Sequence, residues 1–460
     1  MTKILGISAY YHDSAAALLN NGEIISAVQE ERFTRIRHDA SYPRNSINYI
    51  LKENKINFND IDYVVFYDKP LLKFERLLET YLSCAPVGFR SFNKSMPVWL
   101  REKLFLKKLL YDELKGHDKG FKDINKIHFS EHHFSHAASA FYPSPFKEAV
   151  VLTIDGVGEW ATSTIAIGKD QDLKIKKEIN FPHSIGLLYS AFTYYLGFKV
   201  NSSEYKVMGL APYGTPKYKN LILENLVDLK DDGSFRLDMN YFNYLTGLTM
   251  TNNKFSKLFG KPVRTQEEPL TKFHMDIACS IQSVTEEILL KIAKFLKKEY
   301  EIPYLCLAGG VALNCVTNGK ILKENLFKDI WIQPASGDAG GSIGAALALW
   351  HHELKNKRKI YKNDGMKGSY LGPIFSQDEI EKTLRSEEAN FETLSKKAII
   401  EKTVNEIIKG KVIGWFQGRM EFGPRALGNR SIIADARSNN MQKILNLKVK
   451  YREDFRPFAP

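Results

Sequence analysis

The order strand, loop, strand, turn, strand occurs twice in this chain, and few folds accommodate such a repeat. Apolar runs predict strands at 4–8, 14–19 and 24–30, separated by the loop Ala9-Tyr10-Tyr11-His12-Asp13 and the turn Asn20-Asn21-Gly22-Glu23. The same order returns in residues 149–180, with strands at 150–154, 162–167 and 173–179, the loop Asp155-Gly156-Val157-Gly158-Glu159 and a turn at 168–172. Asn-Gly in the first turn is a hairpin signal, because both residues tolerate positive φ. Two such units, each followed by helices, predict a duplicated α/β domain with a cleft between its halves.

The remaining periodicities divide the chain. Ile277, Ile281, Val284, Ile288, Leu289, Ile292 and Phe295 recur at helical spacing and predict a helix over 277–300. Short buried strands follow at 304–308 and 330–333, then a helix at 344–354. The first domain is therefore placed at 1–355. Gly368, Gly372 and Pro373 break a polar connector at 356–376. A second domain at 377–460 reads as helices 377–386 and 398–409, a strand 412–416, a loop dense in Gly and Arg, and a helix 441–449. It has about eighty residues where a domain of typical size takes on the order of a hundred. It is expected to be partial, in a truncated or split chain.

Composition removes several classes. With 44% apolar and 26% charged residues the chain is globular, and 460 residues suit two or three domains. It has no apolar run of transmembrane length, and residues 1–7 lack the core of a signal peptide, so a cytoplasmic protein with no membrane partner is expected. None of the four cysteines forms a CxxC pair, which argues against structural zinc and a disulfide framework. The net charge of +12 suits anionic substrates such as nucleotides, whereas the absence of a compact basic stripe argues against nucleic acid.

Three motifs carry chemistry. In Glu131-His132-His133-Phe134-Ser135-His136-Ala137 the spacing of His132 and His136 puts two imidazoles on one face of a helix, as a divalent metal requires. Asp155 and Asp338 follow predicted strands, at the end where open α/β sheets border their ligands. Two imidazoles with carboxylates suit iron or another metal that takes nitrogen and oxygen donors. Glycine loops at 308–314 and 337–344, with Gly309, Gly310, Asn314, Gly340 and Gly341, let the backbone approach a phosphate or an adenine ring, and neither is a P-loop. Arg419, Arg425, Arg430 and Arg437, then Lys450, Arg452 and Arg456, alternate with glycines and with Trp415, Phe416, Phe422 and Leu427. Guanidinium forks between glycines predict a site for a small oxyanion.

Eight segments together resemble the NodU/CmcH-type O-carbamoyltransferase family: LGISAYYHDSAAALLNNGEIISAVQEERFTR, EHHFSHAASAFYPSPF, TIDGVGEW, SSEYKVMGLAPYG, LAGGVALN, PASGDAGGSIGAAL, GRMEFGPRALGNRSI and KYREDFRPFAP. The resemblance implies an α/β chain, a duplicated actin/Hsp70-like (Kae1-like) domain followed by a partial YrdC-like domain. It implies that carbamoyl phosphate and ATP form carbamoyl-adenylate at the YrdC-like site, and that the Kae1-like site transfers the carbamoyl group to a small-molecule hydroxyl. His132, His136, Asp155 and Asp338 would hold a divalent metal, Fe(II). Arg419, Arg425, Arg430, Lys450 and Arg452 would hold the phosphates. His12 matches a family histidine near the acceptor and is assigned as general base. The loop before it, Ala9-Tyr10-Tyr11, lacks the acid that some members carry two residues earlier. The acceptor stays unnamed and a homodimer is left open. Three rivals share parts of this pattern. tRNA threonylcarbamoylation usually separates the two domains, and hydrogenase maturation carbamoyltransferases add zinc fingers that are absent here. A non-catalytic nucleotide-binding partner would not need the histidine and aspartate set.

Overall fold

Extended apolar segments such as Lys3–Ser8 (β1) and Ala15–Asn20 (β2) are buried along nearly their whole length, as strands covered on both faces must be. A computed structural model describes residues 1–459, so Pro460, the end of the last motif, lies outside the described residues. The chain forms two compact units, Met1–Met366 and Lys367–Pro460.

The first unit contains two mixed five-stranded sheets. One has the order β3-β2-β1-β4-β5, adding Glu23–Gln29 (β3), Tyr63–Phe66 (β4) and Ile127–Phe129 (β5). The other is built from Glu148–Ile154 (β6), Ala161–Lys169 (β7), Asp172–Asn180 (β8), Tyr304–Ala308 (β11) and Asp329–Ile332 (β12), while Val227–Leu229 (β9) pairs with Phe235–Leu237 (β10) outside it. Read from β8, its order β8-β7-β6-β11-β12 repeats that of the first sheet: an antiparallel meander, then two parallel strands. The loops that follow β1 and β6 thus occupy equivalent ends of their sheets.

The helix expected from residue 277 spans Lys272–Tyr300, started by a capping box between Thr271 and His274 and ended by Glu301 in the left-handed region. Its apolar stripe is buried from Ile277 to Ile292, and Phe295 is half-buried beneath the Lys177 ammonium.

The glycine segment 337–344 departs from expectation. It is not a loop before a helix at 344: the helix spans Asp338–Ala348, and a π-helical turn at Leu349–Glu353 follows. A Cβ on Gly344 would lie 1.8 Å from the Ser135 carbonyl oxygen, one on Gly341 2.6 Å from the Tyr67 ring, and one on Gly340 2.0 Å from the Ala335 carbonyl oxygen. Close packing of this helix against the helix His132–Phe141 and against β1 outweighs the low helix propensity of glycine.

Residues 356–366, the first part of the expected connector, are tied to the first unit. The Arg358 guanidinium donates to the carbonyls of Phe141, Tyr142, Ser144 and Phe146, and Met366 is fully buried. In the second unit Ile413–Phe416 (β13) pairs antiparallel with Arg430–Ile433 (β14). Its helices Gln377–Ser386 and Lys396–Ile408 contain no buried residue. Among the described residues, no helix is long and apolar enough to cross a membrane.

Candidate metal centre

Glu159, in the loop after β6, fixes where the histidine helix begins. Its carboxylate accepts the His132 backbone N–H at 3.0 Å on both oxygens and the Lys69 N–H at 2.8 Å, placing negative charge at the positive end of the helix. His132 and His136 then stand one turn apart and project to the same side, with their Nε2 atoms 3.2 Å from each other. Asp155, at the end of β6, brings Oδ2 to 2.9 Å from His132 Nε2 and 3.5 Å from His136 Nε2. Asp338 opens its helix and places Oδ1 3.7 Å and 3.6 Å from the same two nitrogens.

Ligand atoms of the four residues all lie within 4.8 Å of one another. Donors about 2.1 Å from a shared cation stand about 3.0–3.4 Å apart in octahedral or tetrahedral geometry, and most of these separations are close to that. His132, His136 and Asp338 are buried and Asp155 is half-buried. This donor set fits a divalent cation that accepts imidazole and carboxylate, with iron(II) among the candidates.

The electrostatics of the cluster agree. Burial alone would raise the Asp155 carboxyl, but the His132 and His136 imidazoles hold it well below the usual carboxylate range. Burial likewise opposes the charge of Asp338, which His12 and the two cluster histidines lower. Burial would lower His136, yet Asp155 and Asp338 push it up to about 9. The raised His136 imidazole answers the charge of the buried Asp338 and the half-buried Asp155. His133 is outside the group: its Nδ1 faces Thr164 Oγ1 at 3.3 Å, and burial drives it well below the usual histidine range.

The other sequence-predicted residues fall at different distances from this centre. His12 Nε2 lies 3.7 Å from Asp338 Oδ2, and its Nδ1 meets Asp13 Oδ2 at 2.9 Å. Burial opposes its charge, but Asp338 and then Asp13 raise His12 to about 9. Gly309, at φ +87°, follows β11 with no room for a Cβ beside the Ile154 backbone, and Gly310 N–H donates to Asp155 Oδ1 at 3.2 Å. Asn314 is occupied structurally: its amide oxygen accepts Thr317 N–H and its NH₂ donates to Gln282 at 2.9 Å. Gly340 and Gly341 are buried within their helix, not in a loop.

Three partners of the centre escaped the sequence reading. The Tyr67 hydroxyl donates to Asp338 Oδ2 at 3.1 Å. Tyr67 follows β4 as Asp155 follows β6, and that shared position was the available signal. Glu159 and Asp13 lie in the two equivalent loops. Asp13, Glu31 and His38 form a second group of close donor atoms.

In the second unit the arginines divide by partner. Arg430 lies 3.4 Å over the Phe416 ring and donates to the carbonyls of Pro373, Gln417, Gly418 and Asn429. Arg419 donates to the Gly372 carbonyl at 3.2 Å, and Arg452 to Asn446 Oδ1 at 2.7 Å. Glu421, buried, accepts the N–H groups of Leu427 and Asn429, both at 2.8 Å, and so shapes the loop. Arg425 and Lys450 are exposed.

Residues 3–347 match the family model described as carbamoyltransferase N-terminus, and residues 404–460 the one described as carbamoyltransferase C-terminus. The chain is 61% identical over its whole length to the uncharacterized protein sll1178 of Synechocystis sp., covering 75% of that protein. It is 37% identical to the nodulation protein NolNO of Sinorhizobium fredii, over 98% of this chain and 62% of the relative. It is also 37% identical to the nodulation protein NolO of Bradyrhizobium diazoefficiens, over 72% of this chain and 57% of the relative.

Proposed function

The chain belongs to the carbamoyltransferase family, and from that premise we propose that it takes part in ATP-dependent O-carbamoylation of a small natural product or sugar in the cytoplasm. The donor is carbamoyl phosphate and the intermediate carbamoyl-adenylate. The observation that carries this reading is the convergence of His132, His136, Asp155 and Asp338, with His12 beside them. A duplicated Kae1-like domain in the first unit, Met1–Met366, and a YrdC-like portion in the second form the domain plan. The matching order of the two five-stranded sheets supports the duplication.

His132, His136, Asp155 and Asp338 would hold the divalent metal, with Fe(II) among those that accept imidazole and carboxylate donors. Bound there, the metal supplies Lewis-acid polarisation of the carbamoyl carbonyl. The protein's own groups do the rest. Tyr67 and the Gly310 N–H fix the two carboxylates. Asp338, the largest cause of the raised His12, would lie in that ligand set, whereas Asp13 stays on His12 Nδ1. His12 Nε2 then takes the acceptor hydroxyl proton. The acceptor oxygen bonds to the carbamoyl carbon, the carbon–oxygen bond to the adenylate phosphate breaks, and AMP leaves with that electron pair.

Gly309 and Gly310 face the nucleotide through their backbone, while Asn314, Gly340 and Gly341 act through the packing they permit. Of the residues assigned to carbamoyl phosphate and ATP, Arg425 and Lys450 reach the anion, Arg419 and Arg430 hold the loop that carries Arg425, and Arg452 braces the turn after Lys450. Incubation of the chain with ATP and carbamoyl phosphate tests this. Pyrophosphate is expected, and Arg425→Ala should lower its release about 10²-fold, the order of losing one preorganised donor to a developing anion. No release from the intact chain would refute the adenylate step.

A further inference from the structure

Asp13 uses both carboxylate oxygens on imidazoles. Oδ2 meets His12 Nδ1 at 2.9 Å, and Oδ1 meets His38 Nδ1 at 2.8 Å. The two histidines come from separate loops, and those loops are stitched together by backbone. Tyr10 N–H donates to the Ala40 carbonyl at 2.7 Å, Ser14 N–H to the Asp39 carbonyl at 2.8 Å, and Ser14 Oγ to the Ser41 carbonyl at 2.6 Å. Asp39 closes the second loop by accepting from Thr34 Oγ1 and from Ser41. Within this frame Asp13 and His38 both adopt φ of +54°, a region that side-chain-bearing residues rarely enter, so tertiary structure imposes the arrangement. Glu31 Oε2 takes the His38 backbone N–H at 2.9 Å, and among the described residues His38 Nε2 has no partner.

We propose that Asp13 and His38 are positioning residues for His12: the Asp13 carboxylate, itself anchored by His38, keeps a proton on His12 Nδ1 and aims His12 Nε2 at the centre bordered by Asp338. A neutral imidazole donates from one nitrogen and accepts at the other, so a carboxylate on Nδ1 fixes which nitrogen faces the reacting group. The direction agrees, since Nε2 lies 3.7 Å from Asp338 Oδ2. Asp13, Glu31 and His38 could alternatively be read as a second cation site. Their bonds argue otherwise, because both Asp13 oxygens and Glu31 Oε2 already accept N–H groups of histidine. The inference rests on the carbamoyl-transfer reading only for the task given to His12.

The test reads ring protons and needs no turnover. In the ¹⁵N-labelled chain, side-chain ¹H–¹⁵N correlation spectra report which ring nitrogen carries the proton, with His12→Gln and His38→Gln assigning the two signals. A hydrogen-bonded proton on Nδ1 of both rings is expected, with loss or displacement of at least one signal in Asp13→Asn. His12 protonated on Nε2 alone, or two unmoved signals in Asp13→Asn, overturns the proposal. Should Asp13→Asn fail to fold, the wild-type spectrum decides. Elemental analysis supplies the second arm: His38→Gln should leave bound metal unchanged, and loss of a second equivalent would make the group a cation site and overturn the proposal. Pyrophosphate release is followed in the same variants. Its absence from every chain, with the ring signals as expected, condemns the carbamoyl-transfer reading and leaves the positioning of His12 standing.

Discussion

Around Asp155 and Asp338 side chains answer one another's charge, whereas around Arg430 the backbone does. In the first unit two carboxylates and two imidazoles meet with few main-chain partners, and their balance depends on protons or on a cation. In the second unit one guanidinium is spread over four carbonyls and an aromatic ring. Concentrated charge is therefore a functional signal only where the fold leaves it unanswered. By that measure Arg425 and Lys450, both exposed, are better candidates for an incoming anion than Arg430.

The largest expected effect separates the two regions outright. His132→Ala removes one of the four donors from the cluster. Bound metal should fall from about one equivalent per chain to below a tenth, and carbamoyl transfer by about 10³-fold or more, in keeping with loss of Lewis-acid stabilisation worth several kcal/mol. Pyrophosphate release should persist, because the arginine-rich region is untouched. Elemental analysis beside a pyrophosphate assay checks both halves. Unchanged metal content would mean that these residues are not its ligands.

Parts of this centre were legible in the sequence because they obey periodic rules. The separation of His132 and His136 implies one helical face, and Asp155 follows a strand whose apolar run is unmistakable. Asp338 was found as a carboxylate following a strand, and it opens the helix that the glycine pattern hid. Glycine looks the same in sequence whether it admits a phosphate or a neighbouring helix, and only packing distinguishes the two. Tyr67, Asp13 and Glu159 stayed hidden because each is a single residue whose role depends on a partner far away in the chain. Arg430 misled in the opposite direction, since sequence counts charges and is silent about carbonyls. The sheets were the easiest part, as their strands are apolar runs bounded by turn residues.

The same contrast should appear in glycine substitutions. Gly344→Ala would place a Cβ 1.8 Å from the Ser135 carbonyl oxygen in the helix that carries His132 and His136. Overpacking of this kind costs about 1–3 kcal/mol, and the displaced helix should also weaken metal binding. Gly414, in β13, has nothing within 4 Å of its would-be Cβ, so Gly414→Ala should change stability by less than about 0.5 kcal/mol. Denaturant melts of the two variants measure the difference. Equal losses would mean that the second unit is as closely packed at this strand as the first is at its helix.

The smallest effect sharpens the comparison within the arginines themselves. Lysine keeps the charge of Arg430 but offers one ammonium in place of a planar fork, and it cannot stack on Phe416 while reaching four carbonyls. Arg430→Lys should therefore cost about 1 kcal/mol, the net worth of a typical hydrogen bond or two. The loss should appear in the unfolding of the second unit, with little change in the carbamoyl phosphate concentration needed for half-maximal pyrophosphate release. Arg425→Lys should behave in the reverse way, leaving the melt unchanged and raising that concentration. If Arg430→Lys moved the concentration dependence and spared the melt, its guanidinium would belong to the ligand and not to the loop, and the contrast between the two regions would fail at its centre.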